Sequence, residues 1–225
     1  MSKDNSKGTR KFGSAGPRSQ DTRTGQLEVR APLPRILIVC EGAKTEPNYF
    51  RSFRVTNDIY GEGIETIRVV EEAIRLNKPD STFDQIWCVF DRDDFPADHF
   101  DNAIHMVQSR ASTGFRIACS NDSFELWYLL HFEYLDAAVS RNHYIKKLDQ
   151  LIGRKYKKDD TGIYEILQQV GNERLAMRYA QRLRERNGTD RPCSQRCPET
   201  TVDLLVKALR AVQEQHRIEV QPESL

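Results

Sequence analysis

The chain has 225 residues, 38% of them apolar and 30% charged, with a formal net charge of +1; these are the proportions of a folded globular protein with room for one substantial domain and a smaller appendage. No apolar run approaches the ~20 residues that span a bilayer and the N-terminus lacks the apolar stretch of a signal peptide, so the sequence speaks against a membrane protein and for the cytoplasm. Five cysteines, an odd number, suit that compartment, and Cys193 and Cys197, four residues apart with no second Cys or His pair nearby, are not expected to hold zinc.

Residues 1–34 carry seven Lys and Arg against three acids, a local net of +4, among Ser, Gly and Thr with few apolar side chains. Such a segment buries too little surface to offset the entropy of ordering, and a disordered basic tail is expected. Arg35 to Cys40 then reads as a buried strand. In the following loop Thr45 is placed to cap a helix with Pro47 in its first turn, and Tyr49, Phe50 and Phe53 form that helix's inner face. A short strand is expected between Val55 and Gly63. A helix follows, with Ile64, Ile67, Val70, Ile74 and Leu76 at helical spacing, ended by Lys78-Pro-Asp.

Gln85 to Phe90 is the third strand. A helix after Pro96 (Phe100, Ile104, Val107) leads to a fourth strand, Phe115 to Cys119, where Cys119, like Cys40 and Cys88, lies in an apolar run that suits a buried thiol. Ser123 to Phe132 is a strongly apolar helix containing His131, which reads as a core or surface histidine. Beyond Tyr134 no strand pattern returns. Residues from about 140 to 215 read as helical, with apolar spacing at Leu175, Tyr179 and Leu183 and again at Val202, Leu205, Val206 and Leu209. The expectation is an α/β fold: a four-stranded, mainly parallel sheet flanked by helices over residues 35–135, and a helical C-terminal extension over 136–225.

Two of these strands end in acids, Arg35-Ile-Leu-Ile-Val-Cys-Glu41-Gly42 and Gln85-Ile-Trp-Cys-Val-Phe-Asp91-Arg-Asp93-Asp94. Open α/β sheets place their chemistry at the carboxyl edge. If the strands are neighbours, Glu41, Asp91 and Asp93 converge, and like charges at that distance repel unless a hard, oxygen-preferring cation relieves them. Mg²⁺ or Mn²⁺ is the implied cofactor. The plainer reading is that these are strand-end carboxylates capping the next helices, which is also how Asp94 reads. Glu125, on an apolar helix, either points to the same edge or pairs with an Arg, since an unpaired buried carboxylate is costly.

Two basic clusters suit a polyanion. One spans Arg141, Lys146, Lys147, Arg154, Lys155, Lys157 and Lys158 with Tyr144 and Tyr156 interleaved. The other repeats every four residues as Arg174, Arg178, Arg182 and Arg186, on the helical face opposite Leu175, Tyr179 and Leu183. Rows of this kind track phosphates, although a solvated helix face has the same pattern. Three rival sites are set aside. Gly42-Ala-Lys44-Thr45 lacks the upstream Gly and the Gly-Lys pair of a P-loop. A receiver domain needs a fifth strand and a following Lys, neither of which is visible. An aspartyl-phosphate phosphatase carries Asp-x-Asp after its first strand, whereas here it follows the third.

A Glu-Gly after strand one with Asp-x-Asp after strand three resembles the Toprim domain, the metal-binding module of topoisomerases, primases and several small nucleases. More closely, Val-Cys-Glu41-Gly-Ala-Lys-Thr-Glu46-Pro-Asn-Tyr-Phe50, Phe90-Asp91-Arg-Asp93-Asp94 and Ser120-Asn-Asp-Ser-Phe124-Glu125-Leu-Trp127-Tyr-Leu-Leu-His131-Phe resemble the RloB (AbiLii) family, and Thr200-Thr-Val-Asp-Leu-Leu-Val is similar to its C-terminal helix. The resemblance covers residues 35 to about 210. It implies a role in abortive infection and phage defence, often beside an ABC-type ATPase partner. Related overcoming-lysogenization-defect nucleases carry a second Glu four residues after the first; Glu46 departs from that spacing, lying five after Glu41.

The expected activity is a divalent-metal-dependent nuclease. Asp91 and Asp93 would hold the ion, Glu41 would ligate it or act as general base, Glu46 and Glu125 would complete a second position, and Lys44 would stabilise charge developing on phosphate. Lys155, Lys157, Lys158 and the four-Arg stripe would contact nucleic acid. A topoisomerase is not expected, because strand passage needs larger gating domains. The alternative is a non-catalytic scaffold of the same fold that binds nucleic acid or an ATPase.

Overall fold

In the computed structural model the described residues are 32–55, 57–61, 63–93 and 96–220. The expected basic tail, apart from residues 32–34, and Asp94 lie outside them.

The strand-forming runs are where their β-branched and apolar residues place them: β1 is Ile36–Cys40, β2 Asn57–Gly61, β3 Gln85–Asp91 and β4 Phe115–Asn121. Between them come α1 (Thr45–Arg51), α2 (Thr66–Leu76) and α3 (Ala97–Gln108), followed by α4 (Glu125–Leu130), α5 (Arg141–Leu151), α6 (Ile163–Val170), α7 (Glu173–Asn187) and α8 (Val202–Val220). The cap of α1 is Lys44, not Thr45; Thr45 is the first helical residue, and its hydroxyl instead donates to Lys158 O at 3.1 Å.

β2, β1, β3 and β4 lie side by side and parallel. The sheet has five strands rather than the expected four, because Glu199–Thr200, here β5, pairs antiparallel with the end of β4. Two residues carry no periodicity by which a strand is recognised in sequence. This one is held by its side chains. Thr201 Oγ1 accepts from Cys119 N–H at 2.9 Å, Thr201 N–H donates to Cys119 O at 2.8 Å, and the Ser120 and Thr200 hydroxyls meet at 3.1 Å. From α7 the Arg184 guanidinium donates to Thr200 O at 2.6 Å and grips both carboxylate oxygens of the buried Asp203, so the start of α8 is tied to the sheet by a fork of charge-assisted bonds.

Both sheet faces are covered, which is why β1 is apolar at every position. Leu37, Val39, Ile86, Cys88 and Phe90 pack against α2 and α3. Ile36, Ile38, Cys40, Trp87, Val89 and Ala118 face the other way, into a larger core built from α1 and α4 to α8. Residues beyond 136 therefore share the core of the sheet. At its centre Tyr49, Phe50, Phe53, Phe124, Tyr128 and Tyr164 pack edge to face, and Trp127 Nε1–H donates to the Tyr49 hydroxyl at 2.8 Å. His131 is a core histidine, its Nδ1 2.9 Å from Trp127 O and its pKa pushed down by burial to about 4. On α7 the buried residues are Ala176, Ala180 and Leu183 rather than Leu175, Tyr179 and Leu183. Small alanines let α7 approach α4 closely, a packing signal that a scan for large apolar residues overlooks. Among the described residues no helix is long and apolar enough to cross a membrane.

Candidate functional site

The register of β1 and β3 builds the site. Cys40 lies opposite Val89, so Glu41 N–H donates to Val89 O at 2.9 Å and the Glu41 side chain reaches β3. There Oε2 accepts from Asp91 N–H at 2.9 Å, while Oε1 accepts from the Thr66 hydroxyl at the start of α2 at 3.1 Å. Asp91 lies on the α4 side of the sheet by the two-residue period of β3. Its Oδ2 accepts from Phe124 N–H at 2.8 Å, and its Oδ1 is buried without a hydrogen-bond partner. Only 4% of Asp91 is exposed.

Glu46, in the first turn of α1, is likewise buried, and its carboxylate lies over Gly42. A Cβ at residue 42 would overlap Glu46 Oε2 and sit 2.9 Å from its Cδ, so a larger residue there would push the Glu46 carboxylate aside. Asp93 has a φ of +39° in the turn after β3, its N–H donating to Asp122 O at 3.1 Å. Both its carboxylate oxygens accept from Arg141 Nη1, at 3.0 and 2.9 Å. Arg141 opens α5, and its Nε lies 3.3 Å from Oε2 of Glu125, a residue of α4 with no exposed surface. The Tyr156 hydroxyl reaches the other Glu125 oxygen at 3.4 Å.

Glu41, Glu46, Asp91 and Asp93 thus line a single cleft of about 290 Å³ together with Gly42, Ala43, Lys44, Thr45, Arg141 and Lys158. Burial drives the electrostatics of Glu41, Asp91 and Glu46. It raises the Glu41 carboxyl to about 7, against hydrogen bonds from Asp91 N–H and Thr66 and with help from the charges of Glu46 and Asp93. Asp91 is pushed well above the usual carboxylate range by burial, then by Glu46, Glu125 and Glu41, with Arg141 opposing. Glu46 moves the same way, again chiefly through burial. Three carboxylates made less acidic in one cleft mark it as short of positive charge.

The model for the RloB-like protein family matches residues 36–209, well over half of the chain. The chain belongs to the RloB-like protein family. The match runs from the first residue of β1 into α8, so every element lining the cleft falls inside this RloB-like region. No curated protein and no solved structure matches the chain.

Do the residues of this RloB-like chain suit Mg²⁺ or Mn²⁺? The donors are all carboxylate oxygens, the kind such an ion prefers, and Asp91 Oδ1 is a buried acceptor with no hydrogen-bond partner. They fit by chemistry. As the side chains stand, no group of three or more His, Cys, Asp or Glu among the described residues is arranged to hold an ion. Asp93 and Glu125 are drawn onto Arg141 instead, and Glu41 onto Asp91 N–H and Thr66.

The remaining candidates are distributed unevenly. Lys44 and Lys158 reach the cleft. Glu125 sits behind Arg141, outside the lining. Lys155 is paired with Asp149 at 2.8 Å, and Lys157 is exposed. The stripe on α7 divides: Arg182 stacks on the Tyr134 ring at 4.3 Å and Arg186 bonds Asp136 O, whereas Arg174 and Arg178 line an open groove with Met177, Gln181 and Lys207. Sequence reasoning missed Arg141 as a site residue and missed Thr66. Arg141 was visible only as the first of a cluster of cations, with nothing to single it out, and a Thr at a helix start carries no signal beyond capping.

Proposed function

We propose that this RloB-like chain is a divalent-cation-dependent nuclease of the Toprim type, acting on phosphodiester bonds of DNA or RNA in abortive-infection defence. One observation carries the reading: four carboxylates and the cations Lys44, Arg141 and Lys158 share one cleft at the carboxyl ends of β1 and β3. Carboxylates alone would repel a phosphodiester, and cations alone would bind it without a means of activating water.

A bound Mg²⁺ or Mn²⁺ would supply polarisation of the phosphoryl oxygen and neutralisation of its charge. Asp91, Asp93 and Glu46 would hold it. Glu41 is the proton acceptor. Its carboxyl is raised to about 7 in the metal-free cleft, a bound cation would favour its ionised form, and that carboxylate takes a proton from water as the water oxygen attacks phosphorus and the P–O bond to the leaving group breaks. Two donors, Asp91 N–H and the Thr66 hydroxyl, keep it oriented. Lys44, largely exposed at the rim, and Lys158 meet the non-bridging oxygens.

The test is incubation of the purified chain with supercoiled plasmid and with total tRNA, in Mg²⁺, Mn²⁺ or EDTA, alone and, where an ATPase is encoded beside it, with that ATPase. Cleavage that requires the cation is expected, and no cleavage of either substrate under any of these conditions would remove the reading. The engagement of Arg141 by Asp93 and Glu125 favours a second one, a scaffold that binds nucleic acid without cutting it, for which the cation would change nothing.

Nucleic-acid contact through α7 has a sharper expectation than an undivided stripe. Changing Arg174 and Arg178 to Gln should weaken binding to all sequences alike and flatten the plot of log K against log salt by about 1.4 to 1.8, at roughly 0.7 to 0.9 per lost phosphate contact. The same change at Arg182 and Arg186, which already have partners, should leave the slope as it was. Equal effects from the two pairs would show that the division has no bearing on binding.

A further inference from the structure

Five carboxylates, Glu41, Glu46, Asp91, Asp93 and Glu125, lie in or directly behind the cleft, and among the described residues Arg141 is the cation ion-paired with any of them. It spans two. Its Nη1 is shared between both oxygens of Asp93 at 3.0 and 2.9 Å, and its Nε lies 3.3 Å from the fully buried Glu125. The Nε–Oε2 approach is not aligned as a hydrogen bond, since both atoms are buried without a hydrogen-bond partner. Arg141 is held to Glu125 by charge. Three quarters of its side chain is covered, so this is a seated group rather than a surface arginine.

We propose that Arg141 is the resident counter-cation of the cleft, and that the guanidinium and a divalent ion compete for Asp93. The inference rests on the reading of the cleft as a divalent-cation site. Both Asp93 oxygens already accept from Arg141, so an ion that takes Asp93 must displace the guanidinium or bind beside it against the repulsion of a neighbouring cation. A guanidinium freed from Asp93 stays tethered by Glu125 at the edge of the same cleft. There its planar fork matches a phosphate, which makes Arg141 a substrate contact of the loaded site. Lysine has neither the fork nor the reach to bridge Asp93 and Glu125 together.

The experiment is calorimetric titration of Mn²⁺ into the full chain and into Arg141→Gln and Arg141→Lys, with thermal melts in EDTA and in saturating Mn²⁺. Arg141→Gln is expected to bind Mn²⁺ about fivefold more tightly, the scale of one lost competing charge pair. It should melt below the parent chain in EDTA, and Mn²⁺ should narrow that gap. Arg141→Lys should fall between the two, and it decides the matter alone if Arg141→Gln does not fold. Mn²⁺ affinity equal to or weaker than that of the parent chain in the folded variants overturns the competition while leaving the metal site standing. A parent chain and variants that all fail to bind Mn²⁺ remove the metal reading, and this inference with it.

Discussion

Asp91→Asn is expected to abolish Mg²⁺ binding in calorimetry and to lower cation-dependent cleavage by at least about a hundredfold, the upper range seen even for groups that only support a metal ligand. It should also raise the melting temperature of the metal-free protein. Asn keeps the shape of Asp91 and an oxygen to accept from Phe124 N–H, as Oδ2 does at 2.8 Å. What it loses is the charge, which burial and the neighbouring Glu46, Glu125 and Glu41 all oppose. Relief of about 1 kcal/mol would lift the melting temperature by roughly 2–4 °C in a chain of this size. Paired melts and titrations read both effects. An Asn variant that binds Mg²⁺ as the parent chain does would take Asp91 out of the site, and one that melts well below it would make Asp91 a structural anchor.

In EDTA the protein should be more stable at pH 5 than at pH 8, the reverse of a fold held by salt-bridged carboxylates. The Glu41 carboxyl is raised from about 4.5 to about 7, so between those values the folded state holds a proton that the unfolded state has released. Stability from this group is complete below pH 4.5 and is lost as pH rises through 7. The difference is roughly 3 kcal/mol. Glu46 and Asp91 are shifted in the same direction and add to it, while His131, whose pKa burial lowers from 6.5 to about 4, contributes stability that is lost as pH falls through 6.5 and so offsets part of it. Mg²⁺ should restore stability at pH 8, because a bound cation favours the ionised carboxylates. Melting curves from pH 5 to 8, with and without Mg²⁺, check this. A profile that is flat, or that rises with pH, would mean that the cleft is solvated enough to screen its carboxylates.

Much of this protein was legible because its strands are buried on both faces. Runs such as Ile36–Cys40 and Ile86–Phe90 read as strands without further help, and the acids that end them mark the sheet's carboxyl edge. The helices followed from apolar spacing where the inner residues are large, as on α3, where Phe100, Ile104 and Val107 are buried, and the buried face was misassigned where small residues contribute to it, as on α7 and on α2, whose buried residues are Thr66, Val69, Val70 and Ala73. β5 could not be seen. Its two residues are strand only because Thr200, Thr201, Arg184 and Asp203 fasten them to β4, and those partners lie as much as 84 residues apart in the chain.

The sequence by itself determined which residues stand at the site's edge: Glu41, Asp91 and Asp93 follow strands whose apolar composition requires them to be buried in the sheet. It also placed Glu46 in the first turn of α1. Only the tertiary structure decided how these charges are balanced. Arg141 meets Asp93 across 48 residues and Glu125 across an interhelical gap, the Glu46 carboxylate packs over Gly42, and two of the four α7 arginines are drawn to Tyr134 and Asp136. Local periodicity reports the face on which a side chain lies. The partner it meets there depends on the packing of elements distant in sequence, where charge and shape leave no periodic trace.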